Sequence, residues 1–127
     1  MITEDHVSFE TAKLLKEKGF DESCWQKYDN EGCLSPNHVG YINSEKPCTD
    51  FCALAPTLQM AMKWLREVHN LWLEISPEGK GLWYMEVYSL TDEAYIPNSN
   101  GHKIKSYEEA CEAAIKYCLE NLVKITK

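Results

Sequence analysis

Long apolar segments are missing from this sequence. No run of 18 or more apolar residues occurs, so we expect no membrane-spanning helix. The stretch from Met1 to His6 is acidic where a secretory signal is basic and then apolar, so we expect no export and a cytoplasmic location. In that reducing compartment the six cysteines are expected to be free thiols.

Motifs typical of catalysis are also missing. The sequence has no glycine-rich phosphate loop, no His-Glu-x-x-His and no Gly-x-Ser-x-Gly. The four histidines, His6, His38, His69 and His102, are scattered, and no motif pairs any of them with a cysteine nucleophile. We therefore predict that the protein is not an enzyme and binds no cofactor or metal.

A thiol- or zinc-dependent enzyme is the alternative, because four cysteines and one histidine lie between residues 24 and 52. The spacing argues against a shared metal. If Tyr28 faces Cys33 across a hairpin turn, Cys24 lies roughly 13 Å from that pair. Cys48 and Cys52 have three residues between them and do not make a closed zinc site on their own.

Basic side chains are outnumbered by acidic ones. The chain has 13 Lys and Arg against 20 Asp and Glu, a formal net charge of -7. This charge repels a phosphate backbone, and no Lys/Arg stripe offsets it, so we expect no direct binding of nucleic acid. It favours a basic partner surface instead. One hypothesis is therefore an acidic decoy that inhibits a host nucleic-acid-binding protein.

Apolar residues are present in sufficient number for a core. They make up 44% of 127 residues, which predicts one domain over residues 1–127. Caps and apolar spacing predict three helices. These are Thr11–Lys18 after the N-cap Ser8 and before Gly19, Thr57–Asn70 with Pro56 in its first turn, and Tyr107–Leu122 after the capping box of Ser106 and Glu109. Cys111 and Cys118 share the apolar face of the third helix, which predicts that both are core residues.

Two hairpins and a long loop separate the helices. The first hairpin joins Cys24–Tyr28 to a strand from Cys33, and the second joins Leu71–Ser76 to Leu82–Tyr88 across the turn Pro77–Gly81. Ser35–Leu54 is predicted to be a loop with a strand fragment at Val39–Ile42. The order α-β-β-α-β-β-α predicts an α+β fold, in which an antiparallel sheet of about four strands packs against three helices.

Two surfaces are candidate binding sites. On the second helix, Met60 and Trp64 form an apolar stripe beside the buried one, so the apolar surface is wider than one sheet covers. Either a second layer of the same chain or another chain is expected to cover it. On the second hairpin, strand alternation places Trp72, Tyr84 and Tyr88 on the face opposite the predicted core. Exposed aromatic side chains of this size contribute binding energy at interfaces.

Glu74 and Glu86 are predicted to share that hairpin face with the aromatic side chains. Two carboxylates on one face suggest an acid and base pair, but glutamates on strand faces are usually only solvated. We therefore assign them to a binding surface. The alternative to a partner surface is that the loop Ser35–Leu54, or a helix, covers the aromatic side chains.

Two segments resemble a known group of proteins. Ala55–Asn70 and Ser106–Ile115 are similar to small uncharacterised proteins encoded by bacterial prophages and mobile elements, whereas the segment Cys48–Cys52 departs from that pattern. The resemblance implies a phage-like accessory protein of the bacterial cytoplasm and transfers no active-site residue. We predict a non-enzymatic module that binds a protein partner or associates with itself.

Overall fold

The computed structural model describes residues 2–37, 40, 42–44 and 51–124. Three helices and seven strands occur within these ranges. They are α1 (Phe9–Glu17), β1 (Gln26–Tyr28), β2 (Leu34–Pro36), β3 (Ala53–Leu54), α2 (Leu58–His69), β4 (Leu71–Gly79), β5 (Leu82–Ser89), β6 (Ala94–Tyr95), β7 (Gly101–Ile104) and α3 (Tyr107–Asn121). The α+β class and the order of helices and hairpins are confirmed. In the strand fragment predicted at Val39–Ile42, residues 39 and 41 lie outside the described ranges.

Both ends of α1 follow the sequence signals. The Ser8 hydroxyl accepts a hydrogen bond from the backbone N–H of Thr11 at 3.2 Å, which satisfies a donor that the helix leaves unpaired. Gly19 has a φ of 97°, and the next residue, Phe20, donates its backbone N–H to the Leu15 carbonyl at 2.9 Å. The Phe20 and Leu15 side chains are fully buried, so the helix end also fixes an apolar contact.

The start of α2 differs from the prediction. Thr57 is the N-cap, because its hydroxyl accepts from the Met60 N–H at 3.1 Å, so Pro56 precedes the helix and does not lie in its first turn. The Pro56 carbonyl instead accepts from the Val7 N–H at 3.0 Å and holds the N-terminal segment. Asn70 ends the helix at a φ of 57°, a left-handed conformation that asparagine tolerates.

A carboxylate of α3 joins this helix to the start of α1. Glu112 accepts hydrogen bonds from the Ser8 N–H at 3.2 Å, from the Ser8 hydroxyl at 2.7 Å and from the Thr11 hydroxyl. Thr11 is completely buried. An ion pair between Lys116 of α3 and Glu10 of α1, at 2.9 Å, also joins the two helices. Because Glu112 also places negative charge at the positive end of α1, it orients one helix against the other.

The strands form two antiparallel sheets, where the sequence predicts one sheet of about four strands. β1 lies between β2 and β3 in the first sheet, and in the second β5 pairs with β4, β6 and β7. Each predicted hairpin therefore gains strand partners from outside its own two strands. β3 comes from the end of Ser35–Leu54, and β6 and β7 come from the polar segment before α3.

The register of the first hairpin differs by one residue from the expected pairing. Tyr28 pairs with Leu34 and not with Cys33. The cause is the Asp29 carboxylate, which accepts from the backbone N–H groups of Glu31 and Cys33 at 2.9 and 3.0 Å and closes the turn.

The second hairpin is longer than predicted. β4 and β5 pair through Pro77 as far as Gly79, and the chain reverses at Lys80 and Gly81, which have φ values of 58° and 76°. Two consecutive residues with positive φ are typical of the tight turns that join antiparallel strands. Pro77 thus lies within a strand and not in the turn.

Backbone hydrogen bonds define which groups of β4 point away from β5. The Asn70 carbonyl accepts from the Leu90 N–H at 2.8 Å, and hydrogen-bonded pairs alternate along an antiparallel ladder. The backbone groups of Leu73 and Pro77 are therefore directed to the outer edge. Val87, which is paired with Leu73, likewise directs its backbone groups away from the ladder. Its N–H donates to the Ser99 hydroxyl at 3.1 Å and its carbonyl accepts from the Ile96 N–H, both on the far side of β5. Within the described residues, no strand pairs with this edge of β4.

The helices cover one face of the second sheet. α2 and α3 pack on β4, α3 also packs on β5, and α1 lies between α3 and β3. Leu65, Val87 and Ile115 are fully buried where these elements meet, as are Cys111 and Cys118, which confirms the core assignment of the two cysteines. No helix of the described residues is both long and apolar enough to cross a membrane. On the opposite face of β4 and β5, no helix of the described residues packs.

Candidate functional site

The face of β4 and β5 opposite the helices brings five predicted site residues together. Trp72 is directly opposite Tyr88, Glu74 is opposite Glu86, and Ser76 is opposite Tyr84. Side chains of directly opposed residues lie about 5 Å apart at their Cβ atoms. We call the surface formed by Trp72, Glu74, Tyr84, Glu86 and Tyr88 the outer sheet face.

Aromatic side chains form one end of the outer sheet face. Trp72 is 43% exposed, and the Arg66 guanidinium lies 5.9 Å from the centre of its indole ring. Tyr88 packs edge-on against Tyr95 of β6, with ring centres 5.0 Å apart, and Tyr95 is also exposed. Aromatic faces at right angles can contact a partner cation or an apolar side chain from two sides.

Two glutamate–tyrosine pairs form the centre of this face. The Tyr84 hydroxyl donates to Glu86, and the Tyr95 hydroxyl donates to Glu74 at 2.5 Å. The hydrogen bond to Glu86 is the main reason why the pKa of Tyr84 is raised to about 12, and burial and the negative charges of both glutamates add to it. The hydrogen bond to Glu74 likewise raises the pKa of Tyr95. Both hydroxyls therefore stay protonated and act as donors near neutral pH.

Neither central carboxylate has a basic partner among the described residues. Among the described residues the ion pairs are Lys116 with Glu10 and His102 with Glu78, and neither pair includes Glu74 or Glu86. Like charges directly opposite each other on a sheet destabilise it. The outer sheet face therefore holds two adjacent negative charges that its own described side chains stabilise by hydrogen bonds only.

The other end of the face is fixed by β7. The His102 ring packs against Tyr84 with centres 4.8 Å apart, and its Nδ1 lies 2.7 Å from a Glu78 carboxylate oxygen. The Lys103 N–H also donates to Glu78 at 2.6 Å. These contacts, the His102 hydrogen bond most of all, lower the pKa of Glu78. Partial cover of the face thus comes from β6 and β7, whereas the described end of the Ser35–Leu54 loop pairs with β1 in the other sheet.

Sequence reasoning missed Tyr95 and His102 because β6 has two residues and β7 has four. Alternation over so few residues gives no usable signal. The turn residues Asn98 and Gly101 between them predict only a loop. The aromatic and acidic side chains on the longer strands β4 and β5 were predictable because these strands are long enough for alternation to be read, and in β5 burial alternates from Tyr84 to Ser89.

The second predicted surface, on α2, is only partly exposed. Trp64 is 7% exposed, because Phe20 and His69 pack edge-on against its ring at 5.4 and 4.7 Å. Of the two alternatives for this stripe, cover by another part of the same chain therefore applies to Trp64. Met60 and Val68 of the same helix are exposed, at 37% and 56%.

An apolar depression follows α2 on this side. Its volume is about 220 Å³, and the residues that line it are Glu22, Met60, Lys63, Trp64, Glu67 and Val68. We call it the α2 groove. Trp25 is 90% exposed and lies at one end of this region, where it lines a smaller depression together with Cys24 and Met60. Sequence reasoning missed Trp25, although it shares strand parity with Lys27 and not with the buried Tyr28, a signal that could have placed it outside the core.

The cysteines show no arrangement for metal or thiol chemistry within the described part of the chain. No group of three or more His, Cys, Asp or Glu side chains there is positioned to hold a metal ion. Cys24, Cys33 and Cys52 are free thiols, and burial raises the pKa of the Cys24 thiol to about 12. His38 and Cys48 lie outside the described residues.

Comparison of the chain with known protein families, with curated proteins and with solved structures finds no match. The resemblance to prophage-encoded proteins therefore stays a prediction.

Proposed function

We propose that this chain is a non-enzymatic protein-interaction module whose outer sheet face binds a positively charged segment of a partner protein. The observation that supports this most directly is the pair Glu74 and Glu86, two opposed carboxylates without a basic partner among the described residues. A Lys or Arg side chain from a partner would offset the repulsion between them.

Aromatic neighbours strengthen the argument for a cationic side chain. Trp72, Tyr88 and Tyr95 surround the carboxylates on one side, and an Arg or Lys that approaches Glu74 would also contact their ring faces. The contact of Arg66 with Trp72 shows the same kind of packing within the chain. A guanidinium group combines both interactions, so we expect arginine to bind better than lysine.

The overall charge supports the same partner. A net charge of -7 attracts a basic surface over a distance and raises the rate of encounter. A nucleic-acid-binding protein is one source of such a surface, and blocking it is the decoy function that we propose as a special case. It would suit a phage-like accessory protein in the bacterial cytoplasm. Competition with DNA for that partner would distinguish this case from a partner whose basic segment binds no nucleic acid.

Titration with synthetic peptides tests the proposal. The probes are extended peptides in which Arg alternates with Thr, with Lys–Thr and Glu–Thr peptides of equal length for comparison. Binding is measured by calorimetry at two salt concentrations. We expect the affinity order Arg, then Lys, with no binding of the acidic peptide, and weaker binding at higher salt.

Matched variants link the binding to the outer sheet face. The double variant Glu74→Gln and Glu86→Gln keeps hydrogen-bond acceptors but removes both charges, and we expect a loss in affinity of at least about tenfold. Glu31→Gln changes the net charge at an exposed turn in the other sheet and serves as the control. If the double variant binds the Arg–Thr peptide as well as the unmodified chain does, the proposal is wrong.

A further inference from the structure

The surface around the α2 groove is nearly neutral in a chain that is strongly acidic overall. The net charge of the chain is -7, but the charged residues that line the groove are Lys63, Glu67 and Glu22, which together carry a formal charge of only -1. Two acidic chains repel each other least where their local charges cancel. The α2 groove is thus a surface at which a second copy can approach.

Lys63 and Glu67 are also arranged so that two antiparallel copies of α2 complement each other. If a two-fold axis passes near Trp64, Met60 of one copy lies against Val68 of the other, since both are four residues from the axis. Lys63 then lies within one helical turn of Glu67 of the second copy, and the reverse contact follows by symmetry. In this arrangement the apolar stripe of one copy packs on the same stripe of the other copy, and pairs of opposite charge lie beside it.

The shape of this surface is self-complementary as well. Trp25 is a protruding side chain and the α2 groove is a depression, and Met60 borders both. A two-fold interface requires the same patch to supply both the protrusion and the recess. A tryptophan that is 90% exposed next to an apolar depression meets this requirement, and tryptophan is the residue type most enriched among the main contributors to interface energy.

From these observations we propose that the chain forms a two-fold homodimer in which the α2 helices pack antiparallel and each Trp25 contacts the α2 groove of the other copy. The outer sheet face is not part of this interface, because it lies on the side of β4 that is opposite to α2. The dimer therefore does not depend on the proposed binding of a basic segment. It presents two such faces, which would increase the avidity for a partner with two basic segments.

Light scattering and sedimentation of the full chain over a range of concentrations measure the association directly. We expect a concentration-dependent dimer for the unmodified chain. Trp25→Ala is expected to weaken it by at least about tenfold without a change in the circular dichroism spectrum, since the side chain is exposed. Leu34→Ala, which truncates an exposed apolar side chain of β2 that does not line the α2 groove, is the control and should leave the dimer unchanged.

Charge reversal tests the antiparallel arrangement. Lys63→Glu and Glu67→Lys should each form the homodimer at least about tenfold more weakly, because like charges then meet across the axis. An equimolar mixture of the two variants should recover the association as a heterodimer. Melting curves of each variant at low concentration exclude an effect on folding.

Each result has one interpretation. Recovery in the mixture supports the antiparallel helix contact, and a mixture that stays monomeric while the unmodified chain dimerises overturns it. An unmodified chain that is monomeric up to about 0.1 mM overturns the homodimer itself. If such a monomer loses a bound foreign protein on Trp25→Ala, the occupant of the groove is that protein and not a second copy.

Discussion

Glu74 and Glu86 face each other directly across the β4 and β5 ladder, and each accepts a hydrogen bond from a different tyrosine. Position 74 faces 86 because the hairpin register is fixed by the turn at Lys80 and Gly81 and by the buried side chains on the other face. The two negative charges are therefore held in place by the core. A surface that binds a cation well is expected to be less stable without it.

Removing one of these charges should stabilise the isolated protein. Glu86→Gln or Glu74→Gln ends the repulsion and keeps an acceptor for the tyrosine hydroxyl, so we expect the free energy of unfolding to rise by up to about 1 kcal/mol. Urea denaturation at low salt measures this change. Glu31→Gln is the control for net charge alone. If Glu31→Gln raises the free energy of unfolding as much or more, the direct opposition of Glu74 and Glu86 has no special effect.

Glu112 is expected to be the most important carboxylate for stability. Glu112→Ala removes the acceptor of the Ser8 and Thr11 hydroxyls, and among the described side chains it leaves the buried Thr11 hydroxyl only the Ser8 hydroxyl, 3.1 Å away, so the free energy of unfolding should fall by about 1–3 kcal/mol. Glu120→Ala, at an exposed position of the same helix, should change it by less than about 0.5 kcal/mol. Thermal and urea unfolding of the two variants provide the test. Similar losses for both would contradict the proposed contact between α1 and α3.

His69 should make stability depend on pH in the range just below neutrality. Its pKa is lowered because the ring is partly buried against Trp64, and its Nε2 is buried without a hydrogen-bond partner among the described residues. In the unfolded chain the ordinary pKa is about 6.5, so below this pH the unfolded state binds a proton that the folded state resists. The stabilising contribution is thus complete above about pH 6.5 and is lost as the pH falls towards the folded-state pKa.

Urea unfolding between about pH 7.5 and 5 tests this dependence. The unmodified chain should lose stability across that interval, and His69→Phe, which keeps an aromatic ring on Trp64, should lose less. Equal slopes for the two proteins would show that His69 does not titrate differently on folding.

Thiol reactivity should follow burial. Burial raises the pKa of Cys111 to about 11 and that of Cys118 to about 12, so near pH 8 both should resist iodoacetamide in the folded protein. Cys33 is exposed and should react first. Peptide mapping by mass spectrometry after short exposure measures each site, with the urea-unfolded chain as the reference. Rapid modification of Cys118 under native conditions would contradict its place in the core.

The parts of the fold that could be predicted are those with continuous periodic patterns. The caps Ser8 and Ser106 and the alternation of β5 identify helices and a hairpin without any tertiary information. The burial of Trp64 could not be predicted from such patterns, because the Phe20 ring that covers it comes from a distant part of the sequence. Tyr95 joins the candidate site through a two-residue strand whose partner is seven residues away, and local pattern contains no information on such a pairing.

Pro77 has a further effect at the outer edge of β4. Its position in the ladder is one whose amide would point away from the sheet, so the proline replaces a donor that an added strand would need. A row of identical chains growing edge to edge from β4 would therefore miss a hydrogen bond at each step. Replacement of Pro77 by a residue with a backbone N–H is therefore expected to make the protein more prone to fibril growth.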